Sequence, residues 1–230
     1  MIVGLLGFIG SGKGTVGNIL HDDYGFKKVS FANHLKDVAA LMFGWPRDLL
    51  EGETKESREF REIPDAFWSE RMGKPFTPRL ALQLFGTEAA RNVFHEDFWI
   101  LSLEREMLKH PNTNFVITDV RFQNEIEFVN KMNGILIEVE RGFRPHWYDI
   151  AAQANRGSTN AEKFMKETEK IHESEWRWIG CAETYSVQND GTLVDLKNKT
   201  DKVLIEAFGL DTIRAINMTA NKEQFGYETV

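Results

Sequence analysis

Cysteine is nearly absent from this sequence: Cys181 stands alone among 230 residues. One thiol closes no intramolecular disulfide, and no Cys/His cluster has zinc-ligand spacing, so a reducing, cytosolic setting fits best. A surplus of positive charge is missing too. With 28 Lys and Arg against 35 Asp and Glu, the formal net charge is −7. A broad electrostatic footprint for nucleic acid is therefore not expected, and an anionic ligand has to be held by a local cluster. Nor is there an apolar run long enough to cross a membrane. The opening MIVGLLGFIG is short, carries no basic leader and runs straight into glycines, so it reads as a buried strand rather than a signal peptide. Internal repeats and low-complexity tracts are also lacking, which excludes solenoids and arrays.

What is present suits one large domain with insertions: 42% of residues are hydrophobic and 12% aromatic, enough for a sizeable core. Ile2 to Leu6 is an apolar run ended by Gly7, the pattern of a parallel strand buried on both faces. Val16, Ile19 and Leu20 then recur at helical spacing. A second strand is expected over 26–31 and a helix over 33–43, with Leu35, Val38, Ala39 and Met42 on one stripe. Residues 47–76 form a charged, mostly helical insertion containing Trp68. Thr77-Pro78 opens another helix as cap and first residue, and Trp99, Ile100, Leu103 and Met107 mark the next. NFVITD, ending at Asp119, is a strand; a helix follows over 122–132 and a strand over 135–139. A second polar insertion, 141–180, has no clean period. A last strand (184–187) and an amphipathic helix follow, and the tail from Gly209 is weakly patterned. Strand and helix alternate, so the expected class is α/β with a parallel sheet.

The chemistry starts in GFIGSGKGT, residues 7–15. It matches the phosphate-loop pattern G-x-x-x-x-G-K and lies between strand and helix, the context that makes the match specific. Gly7, Gly10 and Gly12 permit backbone angles that turn successive N–H groups onto phosphate oxygens, and Lys13 adds a cation for the terminal phosphates. The Ser or Thr that usually follows the lysine is Gly14, and Thr15 is displaced by one residue on a helix. An Mg²⁺ ion here would be held by phosphate oxygens, water and a remote acid, for which Asp119 at a strand's carboxyl end is the candidate. Arg121 lies two residues beyond. Phosphoryl transfer needs alignment and charge compensation more than covalent chemistry, so further arginines are expected from outside the loop. Arg79, Arg91, Arg141 and Arg144 are the candidates, the last two on an insertion that could close as a lid. NKTD at 198–201 spells a guanine-reading motif but falls inside the last helix, and no DxxG follows the middle strand. His172 and Glu175 form only an isolated metal-competent pair. Trp68, Trp147, Trp176 and Trp178 fit either a core or a base-stacking surface, with Trp68 carried as the acceptor-side candidate.

GKGT is the ending of the adenylate-kinase form of this loop. With SFANHLKD around Lys36, PRLALQLFGTEAARNVFHEDFW over 78–99, VITDVRFQNE over 116–125 and YSVQNDGTLVDL near the end, the sequence resembles the deoxynucleoside monophosphate kinases of tailed bacteriophages. More distantly it resembles dephospho-coenzyme A kinases. The resemblance covers most of residues 1–208 and implies a three-layer P-loop core of five parallel strands, with an acceptor-binding insertion and a lid. It implies transfer from ATP, with Mg²⁺, to a deoxynucleoside monophosphate in the cytoplasm, that of the host if the protein is phage-encoded. Lys36, Arg79, Arg91 and Arg121 would face the acceptor. Gly10, Ser11, Gly12, Lys13, Gly14 and Thr15 would hold ATP, with Asn189 and Gly191 near its adenine, and Lys13, Asp119, Arg121, Arg141 and Arg144 would serve transfer. A homodimer is the family's expectation; nucleic acid and membranes are not expected partners. The rival readings are another small-molecule P-loop kinase, such as a dephospho-coenzyme A kinase, and a nucleotide-binding protein that transfers nothing.

Overall fold

The computed structural model describes residues 1–209; the tail expected to be weakly patterned lies outside the described residues beyond Gly209. Five parallel strands form one sheet: β1 (Ile2–Leu6), β2 (Lys27–Val29), β3 (Phe115–Ile117), β4 (Ile135–Glu140) and β5 (Tyr185–Gln188), in the order β2-β3-β1-β4-β5. β1 is central, with Val3 opposite both Val116 and Ile135. All five of its residues are buried, the reason its sequence is continuously apolar rather than alternating.

The described residues group into two compact units, residues 1–29 with those from 112 onward, and residues 30–111. In the first, α1 (Lys13–Tyr24) and α10 (Leu193–Phe208) pack together against the sheet, and α7 (Gln123–Lys131) packs against β1 and β4. Val3, Leu5, Ile137 and Val139 meet Val16, Leu20, Leu196 and Leu204 in one buried cluster. Tyr24 closes it, its hydroxyl donating to Asp201 at 2.5 Å. Asp201 thus ties α10 to α1, and Lys199 of the same NKTD stretch donates to the Gln188 carbonyl at 2.6 Å, so those residues are structural.

The second insertion also contributes to this unit's core. It contains α8 (Tyr148–Asn155), α9 (Thr159–Lys163), a π-helical turn (Phe164–Glu169) and a 3-10 turn (Glu173–Glu175). Its periodicity is hard to see because small residues, Ala151, Ala152 and Ala154, form the buried face of α8. Trp176, Trp178 and Ile179 are buried, and Asn155 Nδ2 donates to the carbonyls of Trp176 and Ile179, both at 2.9 Å.

The second unit is helical: α2 (Asn33–Phe43), α3 (Lys55–Glu62), α4 (Ala66–Met72), α5 (Pro78–Gln83) and α6 (Phe98–Met107). Thr77 caps α5 as expected, accepting from the Leu80 N–H at 3.1 Å. The single helix expected from there is α-helical only to Gln83 and continues as a π-helix over Leu84–Phe94, a form enriched at functional sites. Gly86 in that stretch abuts Leu35, and its carbonyl accepts from the Trp99 indole at 2.8 Å. An aromatic cluster holds the charged insertion: Phe43 stacks on Trp45 at 4.6 Å and meets Trp68 edge-on at 5.2 Å.

Ile137 is fully buried on β4, so Ile137→Ala removes methyl groups that nothing replaces. Unfolding free energy is expected to fall by about 2–5 kcal/mol, read as a lower urea midpoint with unchanged m.

Candidate active site

The glycine loop leaves β1 at Leu6 and enters α1 at Lys13. Gly7, Gly10 and Gly12 have φ of 133°, 79° and 108°, in the region that L side chains avoid. At Gly7 a side chain would also collide with the Val139 carbonyl oxygen, and at Gly12 with the Asn189 amide. Asn189 holds the loop from the far side: its side-chain amide donates to the Ser11 carbonyl at 2.8 Å, while its backbone N–H donates to the Glu140 carbonyl at 2.7 Å. Phe8 is wedged edge-on among Trp147, Tyr148 and Trp178, with centroids at 5.6, 6.1 and 5.2 Å.

The Lys13 ammonium folds back over the loop, donating to the Gly7 carbonyl at 2.7 Å and the Phe8 carbonyl at 2.9 Å. Ser11 is buried, and its hydroxyl has no hydrogen-bond partner. An orphaned buried hydroxyl costs about 1–3 kcal/mol, a cost that a phosphate oxygen accepting from it would offset. Gly14 is half-buried and Thr15 exposed on α1.

Asp119 and Arg121 follow β3. The backbone N–H of Arg121 donates to Glu125 at 2.7 Å, and that of Phe122 to the same carboxylate oxygen at 3.1 Å. Glu125 is buried and anchors the start of α7; sequence reasoning passed over it, although an acid four residues beyond an arginine at a helix start was a signal for it. The Arg121 guanidinium donates through Nη1 to Glu175 at 2.6 Å and to the Ser174 carbonyl at 3.3 Å. Burial opposes its charge, but Glu175, Asp119 and Glu125 outweigh burial, and its pKa rises. Burial lowers the Lys13 ammonium to about 8, Arg121 adding to the shift while Glu175 and Asp119 oppose it. Lys13, Asp119 and Arg121 therefore belong to one electrostatic cluster. Glu175 belongs to it as well, and does not pair with His172, which bonds Ser174 at 2.9 Å.

The remaining candidates are dispersed. Arg141 is exposed. Arg144 is clasped by Glu140 at 3.2 Å and lies 4.3 Å over the Tyr148 ring. Beside it, burial and Glu140 raise the pKa of Glu138 against the opposing effects of Tyr148 and Arg144. Asp190, between Asn189 and the exposed Gly191, accepts from the Gly142 N–H at 2.8 Å. In the helical unit, Lys36 donates to Glu51 at 2.6 Å, Arg79 pairs with Glu62, and Arg91 reaches the Glu96 carbonyl at 3.1 Å. Trp68 is half-buried, its indole N–H held by the Phe43 carbonyl at 3.1 Å. Among the described residues no three His, Cys, Asp or Glu side chains cluster as a metal-ligand set.

A parallel sheet with a glycine loop running from its central strand into a helix, and a lysine at the loop's end, defines a P-loop nucleotide-binding fold. A family model described as deoxynucleotide monophosphate kinase matches residues 47–150. A protein of Acanthamoeba polyphaga mimivirus with the provisional name deoxynucleotide monophosphate kinase is 35% identical over 155 residues, 61% of this chain and 74% of that one. The deoxynucleoside-5'-monophosphate kinase of Escherichia phage T5 is 28% identical over 182 residues, covering 58% of this chain and 73% of its own. The chain belongs to the deoxynucleotide monophosphate kinase family. Among solved structures, the dephospho-CoA kinase of Campylobacter jejuni aligns over 90% of this chain and 96% of its own at 19% identity, with a TM-score of only 0.41.

The Lys13 shift has a direction that can be measured. Below about pH 8 the lysine is charged and competent for phosphate, and above it the free protein loses that charge. ATP affinity is expected to fall by up to about tenfold per pH unit above that point, with Lys13→Arg abolishing the fall. Because the folded pKa lies below the ordinary 10.5, the same group makes stability rise, not fall, as pH passes through this window. Titration calorimetry at stepped pH checks the first and denaturant midpoints the second.

Proposed function

We propose that the protein transfers the terminal phosphoryl group of ATP to the 5'-phosphate of a deoxynucleoside monophosphate, producing the diphosphate for DNA synthesis. The observation that carries this reading is the cationic pair Lys13 and Arg121 beside a glycine loop whose buried Ser11 hydroxyl lacks a partner, in a chain of this family.

In this reading the N–H groups of residues 10–15 receive the ATP phosphates. Lys13 exchanges the Gly7 and Phe8 carbonyls for phosphate oxygens, and Asn189 and Gly191 border the adenine. Arg121 compensates the charge that spreads over the transferring group, a contribution of position and electrostatics that requires no general base. Asp119 orients the acceptor or a water. Mg²⁺, neutralising phosphate charge, suits a donor set of one acid: Asp119 would hold it through water, the rest of its shell being phosphate and water. Arg141 and Arg144 are the arginines that the second insertion offers; Arg144 must first leave Glu140. Lys36, Arg79, Arg91 and Trp68 serve the acceptor, Lys36 and Arg79 by exchanging a carboxylate for its phosphate.

We also propose a homodimer. In its support, α2 and α6 pack together in the helical unit and leave Leu41 and Leu101 exposed. Light scattering should give twice the chain mass, and Leu41→Glu with Leu101→Glu should return it to that of one chain; a wild-type mass of one chain contradicts the proposal.

Lys13→Ala is expected to lower kcat by about 100-fold or more with a melting temperature no lower than that of the wild type; near wild-type turnover would exclude the mechanism. ADP release measured with dTMP, dGMP, dCMP, dAMP, the ribonucleotides and dephospho-coenzyme A tests the acceptor. Turnover of dephospho-coenzyme A alone, or binding of ATP with no product from any acceptor, would replace the reading.

A further inference from the structure

Both cations of the phosphate site are already engaged by oxygen atoms of the protein itself. Lys13 takes two loop carbonyls, and Arg121 takes the Glu175 carboxylate at 2.6 Å together with the Ser174 carbonyl, through the same nitrogen. A carboxylate presents to a guanidinium the same planar pair of oxygens as the edge of a phosphate, which is why the two compete for one arginine. The segment that delivers Glu175 is firmly seated. His172 closes its turn, the Trp178 indole donates to the Glu175 carbonyl at 3.1 Å, and the fully buried Trp176 donates to the Ile171 carbonyl at 3.2 Å. Through Trp178 the segment also abuts Phe8, whose carbonyl is one of the two holding Lys13.

The Arg121 backbone is fixed independently, by Glu125. Its guanidinium can therefore change partner by side-chain rotation while the chain stays in place. Side-chain exposure is 32% for Arg121 and 23% for Glu175, so the pair is partly open to solvent. A carboxylate left on Arg121 when ATP and a nucleotide arrive would face phosphate charge of its own sign at close range.

We infer that Glu175 is an internal stand-in for the substrate phosphoryl group: it holds Arg121 in the phosphate-free protein and yields it when a nucleotide phosphate binds. The inference rests on the kinase reading above. Its consequence is a reduced apparent affinity, because only molecules in which Arg121 has been released are ready for phosphate, and the measured Kd is raised by that fraction.

The test is calorimetric titration of ATP, and of whichever deoxynucleoside monophosphate the wild type turns over, into the full chain and its Glu175→Gln variant. Glu175→Gln is expected to bind at least one of them about three- to tenfold more tightly. In an Arg121→Gln background the same change is expected to gain clearly less, because only the removal of a negative charge that also acts on Lys13 remains once the competition for that guanidinium is gone; an equal gain in both backgrounds overturns the inference. A purely structural ion pair would lower the melting temperature and leave affinity unchanged or weaker, and that result overturns the inference. If Glu175→Gln does not fold, Glu175→Asp, which draws the carboxylate back by one methylene, must show the gain, and its absence is equally decisive. Failure of the wild type to bind ATP at all would instead overturn the kinase reading, so the two outcomes are distinct.

Discussion

The close approach of Gly7 to the Val139 carbonyl is the constraint on which the phosphate site depends. β1 and β4 are hydrogen-bonded neighbours, and a chain leaving β1 beside β4 with any side chain at that point would be forced away from the sheet. Without one, the loop folds directly over the strand end. The carbonyls of Gly7 and Phe8 then meet the Lys13 ammonium, and Phe8 reaches the aromatic residues of the second insertion. Loop, lysine and insertion are thus positioned by one steric fact and a turn that only glycine tolerates.

Charge organises the site in the same way. Two cations, Lys13 and Arg121, would repel each other across a half-buried space, and Asp119 and Glu175 moderate that repulsion. The Lys13 pKa stays low because burial and Arg121 outweigh the acids. A phosphate arriving beside the buried Lys13 would favour its charged form, as the acids already do. The opposite arrangement surrounds Arg144, which is paired with Glu140 and stacked on Tyr148. Arg121 and Arg144, 23 residues apart in sequence, can be told apart only by such surroundings.

Legibility differed sharply between the parts of the chain. β1, the loop and α1 were readable because their signals are local: an apolar run, glycines at fixed spacing, then a helical stripe. α2 matches its expected range, 33–43, and Thr77 caps α5 as its sequence indicates. The π-helix after Gln83 was not readable, since its sequence is that of an ordinary helix. The second insertion was opaque because α8 turns alanines inward and because Trp176 and Trp178 are core residues in a polar stretch. Asp119 and Arg121 could be picked out at the end of a strand, whereas Glu175 lies 54 residues beyond the arginine it binds, a separation that no spacing rule spans.

By itself, then, the sequence determined the α/β class, the phosphate loop and the resemblance to deoxynucleoside monophosphate kinases, since glycine spacing and apolar periodicity are properties of neighbouring residues. Only the tertiary structure decided who holds whom: Lys13 on its own loop, Asn189 on Ser11, Glu125 on the Arg121 backbone and Glu175 on its guanidinium. The physical reason is that hydrogen bonds and ion pairs act over about 3 Å in space and are indifferent to distance along the chain.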